Sequence, residues 1–312
     1  MDEFELIARL TASLPTNSAV QVGAGDDCAV LDLGDPANLT LFKTDAVVEG
    51  IHFTPDIEPE RVGHKALARC LSDIAAMGGT PVCAVITIAL PRQFRVDWVE
   101  GFYRGMNALA ARHHVAIVGG ETTTNPERVL VSIALIGRVP RGQAVLRSGA
   151  LPGDALLVTG ELGGSRASKH LDFEPRLAEA AWLVEHCKVH AMIDLSDGLA
   201  GDLRHLLQAG HVGAELLASA IPVSRAAKVA AREHPDAKPP VLAALTDGED
   251  FELLFTVAPG DTVKLIDAWK ARFPEVKLSC IGKITREPGL KLRDKQGLRE
   301  ITLHGYVHFK KP

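Results

Sequence analysis

The sequence predicts a layered α/β protein (α+β in detail) built as two domains. Three observations carry that expectation. Short strand-like apolar runs alternate with amphipathic helical stripes, the pattern of sheets covered by helices. The length of 312 residues is more than a single hydrophobic core usually serves. The alternation also pauses at 143–148 and turns at Pro152-Gly153-Asp154 before a new strand begins. Domains are therefore expected at 1–147 and 148–312.

Along the first domain, Phe4, Leu6, Ile7, Leu10 and Leu14 set a helix over 3–14, ended by Pro15. Gly23-Ala24-Gly25 allows a sharp turn into Asp26-Asp27, followed by a strand over 28–33. A strand over 39–42 is expected to be capped by Lys43-Thr44-Asp45. Leu67, Cys70, Leu71, Ile74 and Ala75 form the stripe of a helix over 61–77, stopped by Gly78-Gly79. Asp73 lies beside that stripe, either on a solvated face or buried against a compensating cation. The run 82–90 is almost continuously apolar and reads as a central strand covered on both faces. A helix over 96–112, a strand over 115–118 ending in Gly119-Gly120-Glu121, and a strand over 129–139 complete this half.

The second domain opens with a strand over 155–159 and the loop Gly160-Glu161-Leu162-Gly163-Gly164-Ser165. That loop fits neither phosphate-binding glycine motif and reads as a plain strand-to-helix connection. A strand over 191–195 leads into Ser196-Asp197-Gly198, with Ser196 the expected N-cap of a helix ending at Gly210. Free N–H groups there would attract an anion, and Asp194 and Asp197 would repel it unless a divalent cation bridged them. Further expected elements are a strand over 211–218, a helix over 224–234, a strand over 251–257 after Thr246-Asp247-Gly248-Glu249-Asp250, a helix over 263–272, strands near 278–284 and 290–292, and a tail at 305–309.

Composition excludes several classes. With 34 basic and 39 acidic residues, the net charge of −5 offers no basic footprint for nucleic acid. The longest apolar run is far short of the ~20 residues that span a bilayer. The acidic start MDEFELIARL lacks the pattern of a signal peptide. Five widely spaced cysteines without a CxxC read as reduced, buried thiols. A cytoplasmic protein without membrane or nucleic-acid partners is expected.

Asp27, Asp45, Glu121 and Asp194 fall at expected element ends or turns, and Asp73 in a helix. Hard carboxylate oxygens suit Mg²⁺, which is commonly held by a few carboxylates together with substrate phosphates. Such a centre does phosphoryl transfer by positioning and charge neutralisation.

The ordered set GDDCAV, TDAVVEGIHF, LSDIAAMGGTP, GGETT, RSGALPGD, VTGELG, IDLSDGLAGDL and GEDFELLFT resembles the thiamine-monophosphate kinase family, of the aminoimidazole-ribonucleotide synthetase-like superfamily. The likeness runs from about Phe4 to Phe309. It implies two α/β domains, with the N-terminal domains of two subunits pairing into a dimeric β-barrel, and transfer of the γ-phosphate of ATP to thiamine monophosphate with several Mg²⁺ ions. By position it implies Asp27, Thr44, Asp45, Asp73, Glu121, Asp194 and Asp197 as metal ligands. Gly120, Glu121, Arg147 and Ser196 fall at ATP, and His52, Glu249 and Tyr306 at the thiamine phosphate. Asp45, Asp73, Asp194 and Arg147 are the residues expected to carry the chemistry, with Tyr306 or Phe53 covering the thiamine rings.

This chain departs from the family pattern at four places. Glu121 stands where the family has Asp, and Cys70 where it usually has Asn. Lys43 stands where it has a small hydroxyl residue, and either supplies a fixed charge in place of a metal or points away. The segment between Ser165 and Pro175 is short. Two rival readings follow: a catalytically weak paralogue that binds the same ligands, and a superfamily enzyme with another acceptor. For selenophosphate synthetase a reactive Cys near the N-terminus is expected, and none precedes Cys28.

Overall fold

The computed structural model describes residues 3–167, 169–303 and 305–306. Val307, His308 and Phe309 of the expected tail lie outside them. The N-terminal half is a six-stranded sheet of order β1-β2-β3-β6-β4-β5. Its strands are β1 (Val20–Val22), β2 (Ala29–Leu31), β3 (Asn38–Val48), β4 (Thr80–Leu90), β5 (Ala116–Thr124) and β6 (Leu130–Pro140). Helices α1 (Glu3–Thr11), α2 (Pro59–Ala76) and α3 (Val96–Arg112) accompany it. The C-terminal half is a seven-stranded sheet of order β13-β12-β9-β11-β7-β10-β8. It comprises β7 (Ala155–Thr159), β8 (Val189–Asp194), β9 (Gly213–Leu217), β10 (Leu253–Val257), β11 (Leu278–Thr285), β12 (Gly289–Asp294) and β13 (Gly297–Glu300). Its helices are α4 (Lys169–Asp172), α5 (Leu177–His186), α6 (Leu199–Gly210), α7 (Arg225–Glu233), α8 (Pro240–Thr246) and α9 (Thr262–Arg272). Both sheets are mixed: β4–β5 and β9–β12 are parallel pairs among antiparallel ones.

Helix α2 joins the two halves. Pro59 starts it without loss of an intrahelical bond, and Gly78, at φ +68, turns the chain away while Gly79 N–H donates to Ile74 O. Val62, Leu67, Leu71 and Ile74 are fully buried. The helix packs on β3 and β6 on one side and on β8, α4 and α5 on the other. One apolar core therefore runs from Leu41 and Ile133 through Leu71 to Leu157, Leu183 and Phe255. A second core, with Leu156, Val158, Ile193, Leu203 and Leu254, fills the opposite face of the C-terminal sheet. Strand β7 sends alternate residues to the two cores, so it is buried along its whole length. Each such Leu, Ile or Phe contributes about 1.5–3 kcal/mol by leaving water, which ties the halves together.

The structure corrects several expectations. Lys43-Thr44-Asp45 does not cap a strand but lies inside β3, which pairs with β6 along its full length. Strand β5 likewise continues through Gly119-Gly120-Glu121. Strand β4 is covered on one face only, leaving Val82 and Val85 exposed, because among the described residues no element lies over that side. Helix α1 stops at Thr11, and Ile7, Leu10 and Leu14 are exposed. Phe251 is held at φ 49, which no strand tolerates, so β10 starts only at Leu253. Cys28 and Cys70 are buried, while Cys83, Cys187 and Cys280 are partly exposed; all five are free thiols. Among the described residues no helix is long and apolar enough to cross a membrane.

Candidate active site

Helix α2 is buried nearly all round, yet it carries Lys65, Arg69 and Asp73 at a spacing of four, with Ser72 alongside. That spacing puts the three on one stripe, and the stripe faces a cleft. Strand β3 alternates, so Leu41, Lys43, Asp45 and Val47 turn toward α2 while Phe42 and Thr44 turn away. Arg69 grips Asp45 through Nε and Nη2, both bonds 3.0 Å. Lys43 Nζ donates to Asp73 Oδ1 at 2.9 Å. Ser72 Oγ donates to Asp194 Oδ2, at the end of β8, at 2.6 Å. The turn at Gly25 (φ +123) delivers Asp26 and Asp27 to the same place, where Arg147 Nη2 donates to Asp27 Oδ1 and Arg147 N–H to Asp26 Oδ2.

Asp27, Asp73 and Asp194, from three separate elements, each present a carboxylate oxygen within 4.8 Å of the others, and all three are buried. Burial, and then the charge of Asp27, push Asp194 up to about 7. Burial likewise raises Asp73, against the opposing pull of Lys43. Asp26 rises to about 6 through burial and its neighbour Asp27. Crowded acids of this kind repel one another until a cation joins them. Asp27 Oδ2 is buried without a hydrogen-bond partner, a hard oxygen that no donor among the described residues satisfies. The donor set fits Mg²⁺ or Mn²⁺, which take carboxylate oxygens.

The cleft continues from this acidic end to a second pocket. Arg69, Ser196 and Asp197 line both; the acidic end adds Lys43, Asp45, Asp73 and Asp194, and the other adds His52, Arg166, Asp247, Glu249 and Tyr306. The fully buried Lys65 organises this second pocket. Its ammonium reaches the His52 carbonyl oxygen at 2.7 Å, Glu249 Oε1 at 2.6 Å and His170 Nδ1 at 2.7 Å. With all three N–H bonds used, Glu249 Oε2 is left buried without a hydrogen bond; His170 Nδ1, at 3.1 Å, is already engaged by Lys65. Burial opposes ionisation of Glu249, but its direct pairing with Lys65 overcomes it and keeps the carboxyl below its ordinary range. Glu249 itself is pinned at φ 57 in a turn whose N–H donates to Ser196 O at 2.7 Å, backbone strain of the kind that collects at functional sites. His52 is pushed down to about 4 by burial and by Arg69 and Lys65. Its Nδ1 accepts from Val48 N–H at 3.0 Å, which puts the proton of the neutral ring on Nε2. Arg166 lies over the Tyr306 ring, 5.5 Å from its centroid.

The structure thus brings together Asp27, Asp45, Asp73, Asp194, Asp197, Arg147 and Ser196, and places His52, Glu249 and Tyr306 at the adjoining pocket. Other sequence-derived residues fall elsewhere. Thr44 points to the opposite face of β3, its Oγ1 3.3 Å from Ser132 Oγ. Gly120 and Glu121 lie on the exposed edge strand β5, with β6 and β4 between it and β3; three strand spacings are ~14 Å, too far to join the cluster within one chain. Phe53 is buried against Trp98, centroids 6.0 Å apart. Ser196 is not the cap of α6. Gly198, at φ 107, holds that position, and buried Asp202 reaches back from the first turn to accept from Asp197 N–H and Gly198 N–H, both at 3.0 Å. Those amides are thus unavailable to an anion. Lys65, Arg69, Arg166 and His170 carry no carboxylate signal in the sequence, and Asp202 lies inside a helix with nothing to mark it. The first two were legible as polar residues at i and i+4 in an apolar helix.

Gly120 has a structural duty besides its position. A Cβ there would sit 1.8 Å from Ile86 O on the neighbouring strand, so β4 and β5 pair only with glycine. Gly120→Ala is expected to destabilise the protein by ~2–4 kcal/mol, read as a fall in the urea unfolding midpoint; an unchanged midpoint would show that the edge strand is free to shift.

Comparison with known proteins accords with this geometry. The model of the AIR synthase related protein N-terminal domain matches residues 25–139, and that of the C-terminal domain residues 152–295. A thiamine-monophosphate kinase of Rhodopirellula baltica is 38% identical, covering 93% of this chain and 92% of that protein. One of Bacillus subtilis is 34% identical over 99% of this chain and 100% of its own length. Among solved structures, AaThiL complexed with AMPPCP and TMP is similar with a TM-score of 0.82 at 30% identity, covering 99% of this chain and 97% of that one. The thiamine-monophosphate kinase from Stenotrophomonas maltophilia gives 0.73 at 30% identity, covering 93% and 96%. With relatives this close over nearly its whole length, and both halves of the fold matched, the chain belongs to the thiamine-monophosphate kinase family.

Proposed function

We propose that this protein phosphorylates thiamine monophosphate with ATP, giving thiamine diphosphate and ADP. The observation that carries the reading is the two-ended cleft: a carboxylate centre and a charged, aromatic-edged pocket share Arg69, Ser196 and Asp197 as a common wall. Similarity to a protein complexed with AMPPCP and TMP supports one ligand at each end. The ATP phosphates lie by the carboxylates and Arg147, and the acceptor lies by His52, Glu249 and Tyr306.

The chemistry asks little of the side chains as acids or bases. The attacking atom is a phosphate oxygen, already ionised near neutrality since its second pKa is ~6, so no general base is needed. The barrier comes from bringing two anions together, and fixed positive charge at the transfer point lowers it. Arg69, held in place by Asp45, stands on the shared wall for that purpose, and Arg147 stands beside Asp27. The cluster of Asp27, Asp73 and Asp194 is the place for Mg²⁺, with Asp27 and Asp194 as the ligands that would hold it; when bound it neutralises charge on the transferring phosphoryl group. At the acceptor end, ionised Glu249 lines the pocket and gives it a negative charge that suits a cationic acceptor. The Tyr306 face, which already attracts Arg166, suits the cationic thiazolium, a contact of ~1 kcal/mol or more when desolvated.

The reading extends to assembly. Residues 1–147 form the nucleotide-binding and pairing domain, and 148–312 the second domain. The uncovered face of the first sheet exposes Phe42, Val82, Val85 and Ile136, a patch suited to a second copy and continuous with the edge strand that carries Glu121. A homodimer paired through this face is the assembly proposed. Wild-type protein is expected to sediment at twice 33.3 kDa, and Val85→Asp, which places a charge in that patch, at the single-chain mass with reduced activity. An unchanged dimer would remove this face from the interface.

The activity is tested by incubating the purified protein with ATP, Mg²⁺ and thiamine monophosphate and separating products by chromatography. Thiamine diphosphate and ADP in equal amounts, with neither formed from free thiamine or without Mg²⁺, is the expected result. Nucleotide binding without product would point to a different acceptor or a weak paralogue.

A further inference from the structure

We propose that the Lys43 ammonium is a built-in cation of the carboxylate centre, occupying the place at Asp73 that a divalent ion would otherwise take. The inference rests on the phosphotransferase reading and its metal centre, and concerns how many ions that centre holds.

Strand alternation sends Lys43 inward from β3, and its Nζ lies 2.9 Å from Asp73 Oδ1. The pair is largely removed from solvent, with side chains 24% and 9% exposed. An ammonium hydrogen-bonded to a buried carboxylate is a compact positive charge within the acidic cluster. The other cations of the cleft are each engaged as well. Arg69 takes both oxygens of Asp45, and Arg147 takes Oδ1 of Asp27. What stays open is Asp27 Oδ2, buried and without a hydrogen bond, close to Asp194, whose Oδ2 receives Ser72. Asp27 and Asp194 therefore form the divalent site, while Asp73 is neutralised from within the chain. A divalent ion at Asp73 would have to bind the carboxylate whose Oδ1 already holds the ammonium, within a few ångströms of that like charge, which repels it. The strong hydration of Lys and its compact charge let it act as a point cation. Arg in its place would keep the charge.

The test counts bound metal. Full-length wild-type, Lys43→Ser and Lys43→Arg proteins are equilibrated with MnCl₂ and AMPPCP, and Mn²⁺ per chain is measured after equilibrium dialysis. Lys43→Ser is expected to bind one more Mn²⁺ per chain than wild type, and Lys43→Arg the wild-type number. Equal numbers in wild type and Lys43→Ser would overturn the proposal. Absence of any Mn²⁺ from all three would overturn the metal centre itself, and the proposal with it. Crystals of the wild type measured at the manganese edge give an answer that depends on no variant. Anomalous density beside Asp27 and Asp194, with none at coordination distance from either carboxylate oxygen of Asp73, is expected; a peak coordinated by Asp73 would overturn the proposal.

Discussion

Asp194→Asn is expected to lower turnover by about three orders of magnitude while leaving the protein folded. A carboxylate that helps hold a catalytic cation supports several kcal/mol of charge stabilisation in the transition state, and each 1.36 kcal/mol is tenfold in rate. Asn keeps the size and still meets the Ser72 hydroxyl. Stability should move the other way. In the folded protein burial and Asp27 raise Asp194 from 3.8 to about 7, so the native state holds this proton more tightly than the unfolded chain does. The ionised carboxylate therefore costs stability progressively as pH rises from about 4 to about 7, and the cost is fully present at pH 8. Without metal, Asp194→Asn should melt above wild type at pH 8, with the gap closing toward pH 4. A melting temperature well below wild type at pH 8 would mean that Asp194 is a structural ligand and not a strained catalytic one.

Lys65→Met is expected to strike the acceptor pocket. Lys65 is fully buried and is the direct donor to Glu249 Oε1. Removing one partner of a buried ion pair leaves an uncompensated charge at a cost of ~3–5 kcal/mol; His170 and Arg166 beside Glu249 place the result at the lower end. Glu249 also loses the group that fixes its orientation, so kcat/KM for thiamine monophosphate should fall roughly a hundredfold, two decades at 1.36 kcal/mol each, chiefly through KM, with KM for ATP little changed. The double variant Lys65→Met, Glu249→Gln should recover most of the stability, because no lone charge remains, but not the affinity. Recovery of affinity in the double variant would make the pair structural only.

Much of this was legible in the sequence because local rules acted alone. Helix α3 was expected over 96–112 and is found there, since its stripe of Trp98, Phe102, Met106 and Leu109 meets no competing signal. Strand β7 was equally plain. The failures have common physical causes. Lys43-Thr44-Asp45 and Gly119-Gly120-Glu121 look like strand ends because charged residues and glycines are poor strand formers, yet pairing with β6 and β4 carries both stretches on. Whether Asp73 is solvated or buried depends on Lys43 and on the layer above α2, neither of which is local. Lys65 and Arg69 carry no motif, only a spacing within a helix. Their partners Asp45 and Glu249 are distant in the chain, so the pairing emerges only when α2 lies between the two halves. Glu121 is a different case, because one chain alone does not bring it to the cluster.

In the proposed reaction the phosphoryl group passes directly from ATP to the phosphate of thiamine monophosphate across the wall shared by Arg69, Ser196 and Asp197. This transfer is tested most directly with ATP labelled with ³²P at the γ-position, incubated with the protein, Mg²⁺ and thiamine monophosphate, quenched, and resolved into protein, nucleotide and thiamine fractions. Label is expected in the terminal phosphate of thiamine diphosphate, in step with ADP, and none on the protein at any time. Label retained on the protein, or released only as inorganic phosphate, would contradict it.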